Sequence, residues 1–280
     1  MDSQASALFP KLPCPPFHHV PGVSNFRDIG GYPVSPPGRG SVRRRFIYRS
    51  ALPTRITPAG CEVLVSDLKI RVIYDFRSHL EIEKEPPKPV PGAVRYHIPV
   101  FPTTDLSPEK LAQRLEAYMS ERGPSGFVYA YSEILRSGNP AYRTVLEHVR
   151  DRPQEPFLVH CTSGKDRTGV FVALLLRLAG VKDLNMVANE YQLTEMGLGS
   201  LVETVTEGLL KDGKIGSDRE GVKRLLSAKA ENLKASMEWL DQTYGGVEEY
   251  LKTVLKFNDE DIRKIKANLI AEDEEAIFNK

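Results

Sequence analysis

A run of ten residues near the middle of the chain, HCTSGKDRTG at positions 160–169, combines a nucleophile with groups that bind anions. A strand-like run precedes it and an apolar helical run follows it, so the loop leads directly into a helix N-terminus. Such a loop aims successive backbone N–H groups and the positive end of the helix dipole at one point. The pattern predicts an anion site whose field favours the thiolate form of Cys161, the form that attacks phosphorus.

The spacing inside this loop assigns a role to each neighbouring side chain. Arg167 lies six positions after Cys161, so its planar guanidinium can face the thiolate across a bound phosphate. Gly164 permits the tight backbone of a cradle, and Thr168 is placed to hydrogen-bond the thiolate. We expect His160 to orient the loop from behind. The other predicted phosphate-binding residues are Thr162, Ser163 and Lys165.

Other interpretations of the same ten residues have to be weighed. A Walker A loop needs glycine at position 159 and Ser or Thr at position 166, but the chain has Val159 and Asp166, which excludes an NTPase loop. An inert core cysteine would have no need of the glycine, lysine and arginine that follow Cys161. A module that binds a phosphorylated ligand without turning it over would keep the same cradle, and this alternative stays open.

Composition excludes several other classes of function. The 280 residues carry 38 Lys and Arg against 37 Asp and Glu, and this balance gives no pull toward nucleic acid. The cysteines Cys14, Cys61 and Cys161 form no CxxC pair, which argues against a disulfide framework and a zinc site and favours a reducing, cytoplasmic location. The most apolar run, residues 170–181, is too short to cross about 30 Å of hydrocarbon, so no integral membrane association is expected.

Local patterns predict the elements that must position the loop. Runs rich in β-branched and aromatic residues are predicted as strands at positions 45–49, 71–76, 94–100 and 156–160, with a helix over 57–68 between the first two. Strands separated by helices indicate an α/β fold with a central, mainly parallel sheet flanked by helices. Ligands of such sheets bind beyond the carboxyl ends of the strands, where the loop begins.

The domain organisation follows from composition and from the distribution of helical patterns. Helices are predicted within 107–149 and from position 181 onward, so the sheet belongs to the first 160 residues and the C-terminal half is helix-rich. Residues 1–22 contain many prolines and small residues and are predicted to form a flexible arm. Residues 23–275 are predicted to form one domain.

Charged residues lie where the predicted strands end. Asp75 and Arg77 end the second strand at the edge where the site should form, and Arg27 and Asp28 precede a glycine turn. Each pair could contact substrate, but alternating Arg and Asp at strand ends more often tie loops together by ion pairs and hydrogen bonds. We therefore assign Asp75 and Arg77 a supporting role.

The loop at residues 160–167 resembles the cysteine phosphatase signature HCxxGxxR, and the longer form HCxxGKDRTG at 160–169 is similar to one branch of that family. That branch is the tyrosine phosphatase family of the secreted bacterial phosphatase B and lipid-phosphatase-like type, which has fungal members. Further stretches agree with it: NFRDIGG (25–31), YRSA (48–51), YDFRS (74–78) with Glu81, and YGGVEEYL (244–251). The resemblance spans about residues 20–270 and implies a cysteine-phosphatase fold that hydrolyses phosphate monoesters through a phosphocysteine intermediate, without metal or cofactor.

The resemblance also implies substrates and a general acid. Phosphotyrosine proteins are the expected substrates, with phosphoserine, phosphothreonine or phosphoinositides accepted by some members; a phosphoinositide phosphatase is the alternative. The chain has no Trp-Pro-Asp sequence, and the matching branch would use Asp166 to protonate the leaving oxygen, with Asp105 as the other candidate. Lys165 matches the lysine of lipid-phosphatase loops, where it would either favour polyanionic headgroups or simply add to phosphate attraction.

Overall fold

The computed structural model of the chain describes residues 12–35, 40–101, 107–120, 123–212, 217–272, 274 and 276–278. Within them, the strands are β1 (Arg27–Asp28), β2 (Ser41–Val42), β3 (Ile47–Ser50), β4 (Val72–Asp75), β5 (Val94–His97), β6 (Phe157–His160) and β7 (Ile270–Ala271). Five of these strands form the central sheet in the order β1-β3-β6-β4-β5, and β2 pairs with β7.

Strand β6 is the centre of the sheet and leads into the loop of the predicted site. It lies parallel to β3 on one side and to β4 on the other, and β5 continues the parallel arrangement, whereas β1 runs antiparallel to β3. Its apolar residues are buried on both faces, which explains the unbroken run FLV in place of an alternating pattern. The predicted central, mainly parallel sheet is confirmed, and each predicted strand overlaps one of β3 to β6.

Helices cover the sheet and fill the C-terminal half. Their bounds are α1 (Pro58–Glu62), which continues as a π-helical turn (Val63–Asp67), α2 (His79–Lys84), α3 (Pro108–Met119), α4 (Pro124–Ser137), α5 (Asn139–Asp151), α6 (Asp166–Ala179), α7 (Leu184–Leu198), α8 (Leu201–Asp212), α9 (Arg219–Leu226), α10 (Ala230–Tyr244), α11 (Val247–Thr253) and α12 (Asp259–Leu269). None of the helices in these described segments is both long and apolar enough to traverse a lipid bilayer.

Helix α6 runs through the larger of two hydrophobic clusters and carries the loop at its N-terminus. Residues 170–176 of this helix are each at most 1% exposed, so the apolar run is a core helix, as predicted. Gly180 ends the helix in a left-handed conformation, with φ of 104°. The smaller cluster lies around α1 and includes Leu158 of β6, whereas Phe157 and Val159 belong to the larger one. Packing on both faces therefore fixes the strand and the helix that hold the loop.

The N-terminal part of the predicted organisation needs correction. The arm predicted over residues 1–22 must be shortened, because Phe17 and Val20 are 1% and 2% exposed and Phe17 forms an antiparallel β-bridge with Arg27. Residues 1–11 of the predicted arm lie outside the described part. These two side chains, together with hydrogen bonds from His18 N to the Phe26 carbonyl and from Asp28 N to the Pro16 carbonyl, pack this stretch onto the domain. The central sheet lies within the first 160 residues, as predicted, and a separate two-stranded pairing of β2 with β7 places one short strand in the C-terminal half. A strand of two residues has no periodicity that a sequence pattern could detect.

Candidate active site

The loop between β6 and α6 is held from outside by its backbone carbonyls. Four consecutive carbonyls accept hydrogen bonds from the surrounding protein: Cys161 from His160 Nδ1 (3.0 Å), Thr162 from the Leu52 N–H (3.0 Å), Ser163 from Asn25 Nδ2 (3.1 Å) and Gly164 from Arg49 Nη2 (2.5 Å). In a trans peptide the N–H group points opposite to the carbonyl. The N–H groups of residues 162–165 are thereby turned to the inner side of the loop, which forms a concave anion cradle.

Gly164 is required at the tightest point of this cradle. Its φ is +66°, and an added Cβ would lie only 2.1 Å from the carbonyl oxygen of Ser50. A side chain there would be strained by the backbone conformation and would collide with β3. The close approach also brings the Gly164 carbonyl within reach of Arg49.

Cys161 and Arg167 lie at the two ends of the loop, and Glu81 of α2 holds the arginine. Cys161 is 1% exposed, and Arg167 is the second residue of α6. The Glu81 carboxylate accepts Nη1 and Nη2 of Arg167 at 2.6 and 2.7 Å and also accepts the Thr162 hydroxyl. Burial alone would raise the pKa of Glu81, but Arg167 and these hydrogen bonds hold it well below its ordinary value. This bidentate contact fixes the Nη1–Nη2 edge of the guanidinium before any ligand binds.

Replacing Glu81 with glutamine should destabilise the protein in a pH-dependent way. Because the pKa of Glu81 is lowered on folding from its ordinary value of 4.5, its stabilisation is fully present above about pH 4.5 and is lost as the pH falls further. We expect Glu81→Gln to lower the free energy of unfolding by about 1–2 kcal/mol at pH 7 and by less at pH 3. Urea denaturation at both pH values measures this. Glu83→Gln, an exposed change on the same helix, is the control, and equal losses at the two pH values would contradict the prediction.

A buried ion cluster lies behind the cradle. Glu190 of α7 pairs with Arg27 of β1 at 2.7 Å and with Arg49 of β3 at 2.6 Å, and all three side chains are at most 2% exposed. Burial lowers the pKa of Arg27 to about 10, while the Glu190 carboxylate acts in the opposite direction. Since Arg49 also bonds the Gly164 carbonyl, the cluster joins two strands and a helix to the loop. Arg27 therefore has the structural role that its position at a strand end indicates.

Asp75, Arg77 and His160 support the loop from the sheet. Asp75 pairs with Arg77 at 2.8 Å, and its Oδ2 lies 3.7 Å from His160 Nε2. Burial lowers the pKa of His160 and the charge of Asp75 only partly opposes this, so the ring is neutral at pH 7. Because Nδ1 faces the Cys161 carbonyl, which can only accept, the neutral ring must carry its proton on Nδ1. The contacts of Asp75 and Arg77 are with the protein framework, in keeping with a supporting role.

Asp166 begins α6 directly before Arg167. Its side chain is 21% exposed, and its Oδ1 accepts a hydrogen bond from the Tyr131 hydroxyl at 2.7 Å and forms an ion pair with Lys165 Nζ at 3.0 Å. It therefore lies beside the cradle with part of its carboxylate accessible. The other candidate for the general acid, Asp105, lies outside the described residues.

Two side chains of the loop differ from their predicted roles. Lys165 is 2% exposed, donates hydrogen bonds to the carbonyls of Leu225 (2.8 Å) and Ser227 (3.0 Å), and forms an ion pair with Asp166. These contacts direct the ammonium toward the protein, so a bond to phosphate would compete with the partners that it already has. The Thr168 hydroxyl is buried and, among the described residues, has no hydrogen-bond partner, so the predicted bond to the Cys161 sulfur is not formed.

Sequence reasoning missed several residues that shape the site. Asn25 and Arg49 lie in the stretches NFRDIGG and YRSA, which matched a family pattern without indicating that both residues bind loop carbonyls. Glu190 and Tyr131 lie in helices with no local feature that marks them. Their partners are far away in the sequence, and only the packed structure brings them to the loop. Among the described residues, no cluster of three or more His, Cys, Asp or Glu side chains could hold a metal ion.

The chain is similar in sequence to a known family and to named proteins over most of its length. The pattern that defines the tyrosine phosphatase family matches residues 18–271. A protein of Cupriavidus necator, provisionally named a tyrosine-protein phosphatase, is 27% identical over 251 residues, which cover 89% of this chain and 86% of that protein. The triple specificity protein phosphatase PtpB of Mycobacterium tuberculosis is 28% identical over 279 residues, covering 83% of this chain and 92% of PtpB.

A solved structure shows a weaker likeness. The core catalytic domain of the PP-IP phosphatase SIW14 from S. cerevisiae, in complex with citrate, aligns with 64% of this chain and 96% of its own at 17% identity and a TM-score of 0.31. The family match is much more extensive, and the matched segment contains the loop together with Asn25, Arg49, Glu81 and Glu190. On that match, the chain belongs to the tyrosine phosphatase family.

Proposed function

We propose that Cys161 is the nucleophile with which this phosphatase hydrolyses phosphate monoesters. The observation that carries the proposal is the set of four outward-bonded carbonyls, which turns the intervening N–H groups toward one point beside Cys161 and Arg167. Backbone donors fixed in this way bind the equatorial oxygens of a phosphoryl group without reorganisation during the reaction. A cysteine in such a positive field reacts as the thiolate.

The proposed reaction has two steps, each balanced in bonds and protons. In the first, the Cys161 thiolate attacks phosphorus in line, an S–P bond forms and the P–O bond to the leaving group breaks while Asp166 protonates the leaving oxygen. In the second, Asp166 takes a proton from water, the water oxygen bonds to phosphorus, and the S–P bond breaks to release phosphate and the thiolate. Arg167 neutralises the phosphoryl oxygens throughout.

Phosphotyrosine in proteins is the substrate class that we propose, with phosphoserine and phosphothreonine accepted at lower rates. The family supports tyrosine phosphate, and the triple specificity named for the similar PtpB supports breadth. A phosphoinositide is less well supported, because the Lys165 ammonium is occupied by Leu225, Ser227 and Asp166. For the same reason we assign Lys165 a role in holding the loop, while the loop amides of residues 162–165 and Arg167 bind phosphate.

A rate comparison on defined substrates tests this function. We expect turnover of p-nitrophenyl phosphate in the presence of a chelator, and among natural substrates the highest kcat/KM for phosphotyrosine peptides, followed by phosphoserine peptides and phosphoinositides. Phosphotyrosine peptides are expected to rank first because the longer tyrosine side chain carries its phosphate deeper into the cradle than serine does. Preference for phosphoinositides would replace the protein assignment. Tight phosphate binding without turnover of any substrate would identify a binding module and refute catalysis.

A reducing intracellular compartment is part of the proposal. All three cysteines are free thiols, and Cys161 must stay reduced to act as a nucleophile. The partners would then be phosphorylated intracellular proteins. Recovery of activity by dithiothreitol after brief peroxide treatment checks the requirement for the free thiol.

A further inference from the structure

Two buried tyrosines lead from the protein core to the carboxylate of Asp166. Tyr131 of α4 donates its hydroxyl proton to Asp166 Oδ1 at 2.7 Å, and the Tyr191 hydroxyl of α7 lies 2.6 Å from that of Tyr131. Both tyrosine side chains are 0% exposed, whereas the Asp166 side chain is 21% exposed. The catalytic carboxylate is therefore reached from the core by a continuous hydrogen-bonded path.

The direction of these hydrogen bonds is fixed by chemistry. Burial, followed by the charge of Asp166, raises the pKa of both tyrosines well above the ordinary value of 10, so both remain protonated donors. Tyr131 donates a hydrogen bond to Asp166, so the Tyr131 oxygen accepts a hydrogen bond from the Tyr191 hydroxyl. The path thus runs as a chain of donors that ends on Oδ1.

Asp166 Oδ1 also faces a positive charge. Lys165 Nζ lies 3.0 Å from it in an ion pair, so a hydroxyl donor and an ammonium converge on one carboxylate oxygen. A proton placed on Oδ1 would confront both of them, and the acid form of Asp166 must therefore carry its proton on Oδ2. Oδ2 is therefore the oxygen that can exchange a proton with the substrate.

We propose that Tyr131, backed by Tyr191, is a positioning residue that reserves Asp166 Oδ2 for proton transfer during phosphate hydrolysis. The inference rests on the proposed role of Asp166 as general acid. In the first step the Oδ2 proton moves to the leaving oxygen as the P–O bond breaks. In the second step Oδ2 takes a proton from water as the new O–P bond forms and the S–P bond breaks, while Oδ1 stays bonded to Tyr131.

Packing holds the two hydroxyls in place. The Tyr131 ring lies edge-on to Tyr191 and to Phe127, with ring centroids 6.3 and 5.8 Å apart. Tyr191 in turn lies against α6 at Gly169, where an added Cβ would come within 2.8 Å of its ring. The glycine lets Tyr191 approach the helix that carries Asp166, which sets the hydroxyl at the required depth. Such tight packing suits a group that must orient a reacting carboxylate.

Replacing Tyr131 with phenylalanine tests the proposal through the leaving group. The p-nitrophenolate group leaves without protonation, whereas phenolate needs a proton. We expect Tyr131→Phe to reduce kcat/KM for phenyl phosphate about tenfold and for p-nitrophenyl phosphate less than about twofold. Tyr250→Phe is the matched control, because it removes a buried hydroxyl that donates a hydrogen bond to the Leu135 carbonyl, and it should reduce both values equally and slightly. Thermal unfolding of both variants reports any loss of stability.

Asp166→Asn separates this inference from the function on which it rests. We expect the asparagine variant to lose more activity on phenyl phosphate than on p-nitrophenyl phosphate, and the double variant with Tyr131→Phe to lose little more than Asp166→Asn alone. Equal losses on the two substrates in Tyr131→Phe, or losses that multiply in the double variant, would overturn the positioning role. If Asp166→Asn itself shows no leaving-group dependence, the acid assignment and the role of Tyr131 both fail, while catalysis by Cys161 stands.

Discussion

Cys161→Ser is expected to abolish turnover of p-nitrophenyl phosphate, with a loss of about 10⁴-fold or more. A serine hydroxyl in the same position is not ionised near neutral pH, so the cradle would present a neutral and weak nucleophile to the phosphoryl group. The rest of the cradle stays intact, because the loop is fixed by its carbonyls and by Glu81, and not by the cysteine sulfur. Steady-state assays measure the loss of turnover, and isothermal titration with inorganic phosphate measures whether the cradle still binds the anion.

The matched control is Cys61→Ser. Cys61 is a free, half-buried thiol of α1 that packs against the smaller hydrophobic cluster, so its replacement should leave kcat unchanged. Retention of phosphate binding by Cys161→Ser would show that binding and chemistry reside in different parts of the loop. Turnover in Cys161→Ser above the background of a mock preparation would refute the phosphocysteine route.

The elements around the loop could be predicted because their signals are local. The apolar run before residue 160 and the longer apolar run after residue 169 are each buried on several sides, and the region predicted as helical from position 181 onward contains α10 (Ala230–Tyr244), which ends at Gly245 in a left-handed conformation. Such patterns depend on propensity and periodicity within a few turns. The packing of Phe17 and Val20 could not be predicted in this way, because two isolated apolar residues in a proline-rich stretch have no period.

Within the site, residues that act through sequence neighbours could be predicted, and residues that act across the fold could not. The order Cys161 to Arg167 is legible because one loop carries both. Lys165 donates to carbonyls about 60 positions later in the sequence, and Arg167 donates to Glu81. Both contacts depend on how helices pack against the loop. A lysine in a phosphate loop is therefore an ambiguous signal, since it can bind either the ligand or the protein.

The buried ion cluster predicts the largest effect on stability. Glu190 is, within the described part of the chain, the one carboxylate that Arg27 and Arg49 share, and burial would raise its pKa if the arginines did not hold it low. Removing this charge leaves two guanidinium groups buried at 0% exposure without an anion. Uncompensated buried charges are far more costly than a lost surface ion pair, because neither group can regain its hydration without unfolding.

Glu190→Gln is accordingly expected to lower the free energy of unfolding by about 3–5 kcal/mol, measured by urea denaturation at pH 7. Glu203→Gln, which breaks an exposed pair with Arg219, should cost less than about 1 kcal/mol and serves as the control. Since Arg49 bonds both Glu190 and the Gly164 carbonyl, the change should also reach the cradle and raise the KM for p-nitrophenyl phosphate at a temperature where the variant is folded. If Glu190→Gln is no more destabilising than Glu203→Gln, the loop must be held by its remaining contacts, and the cluster is then dispensable to the cradle.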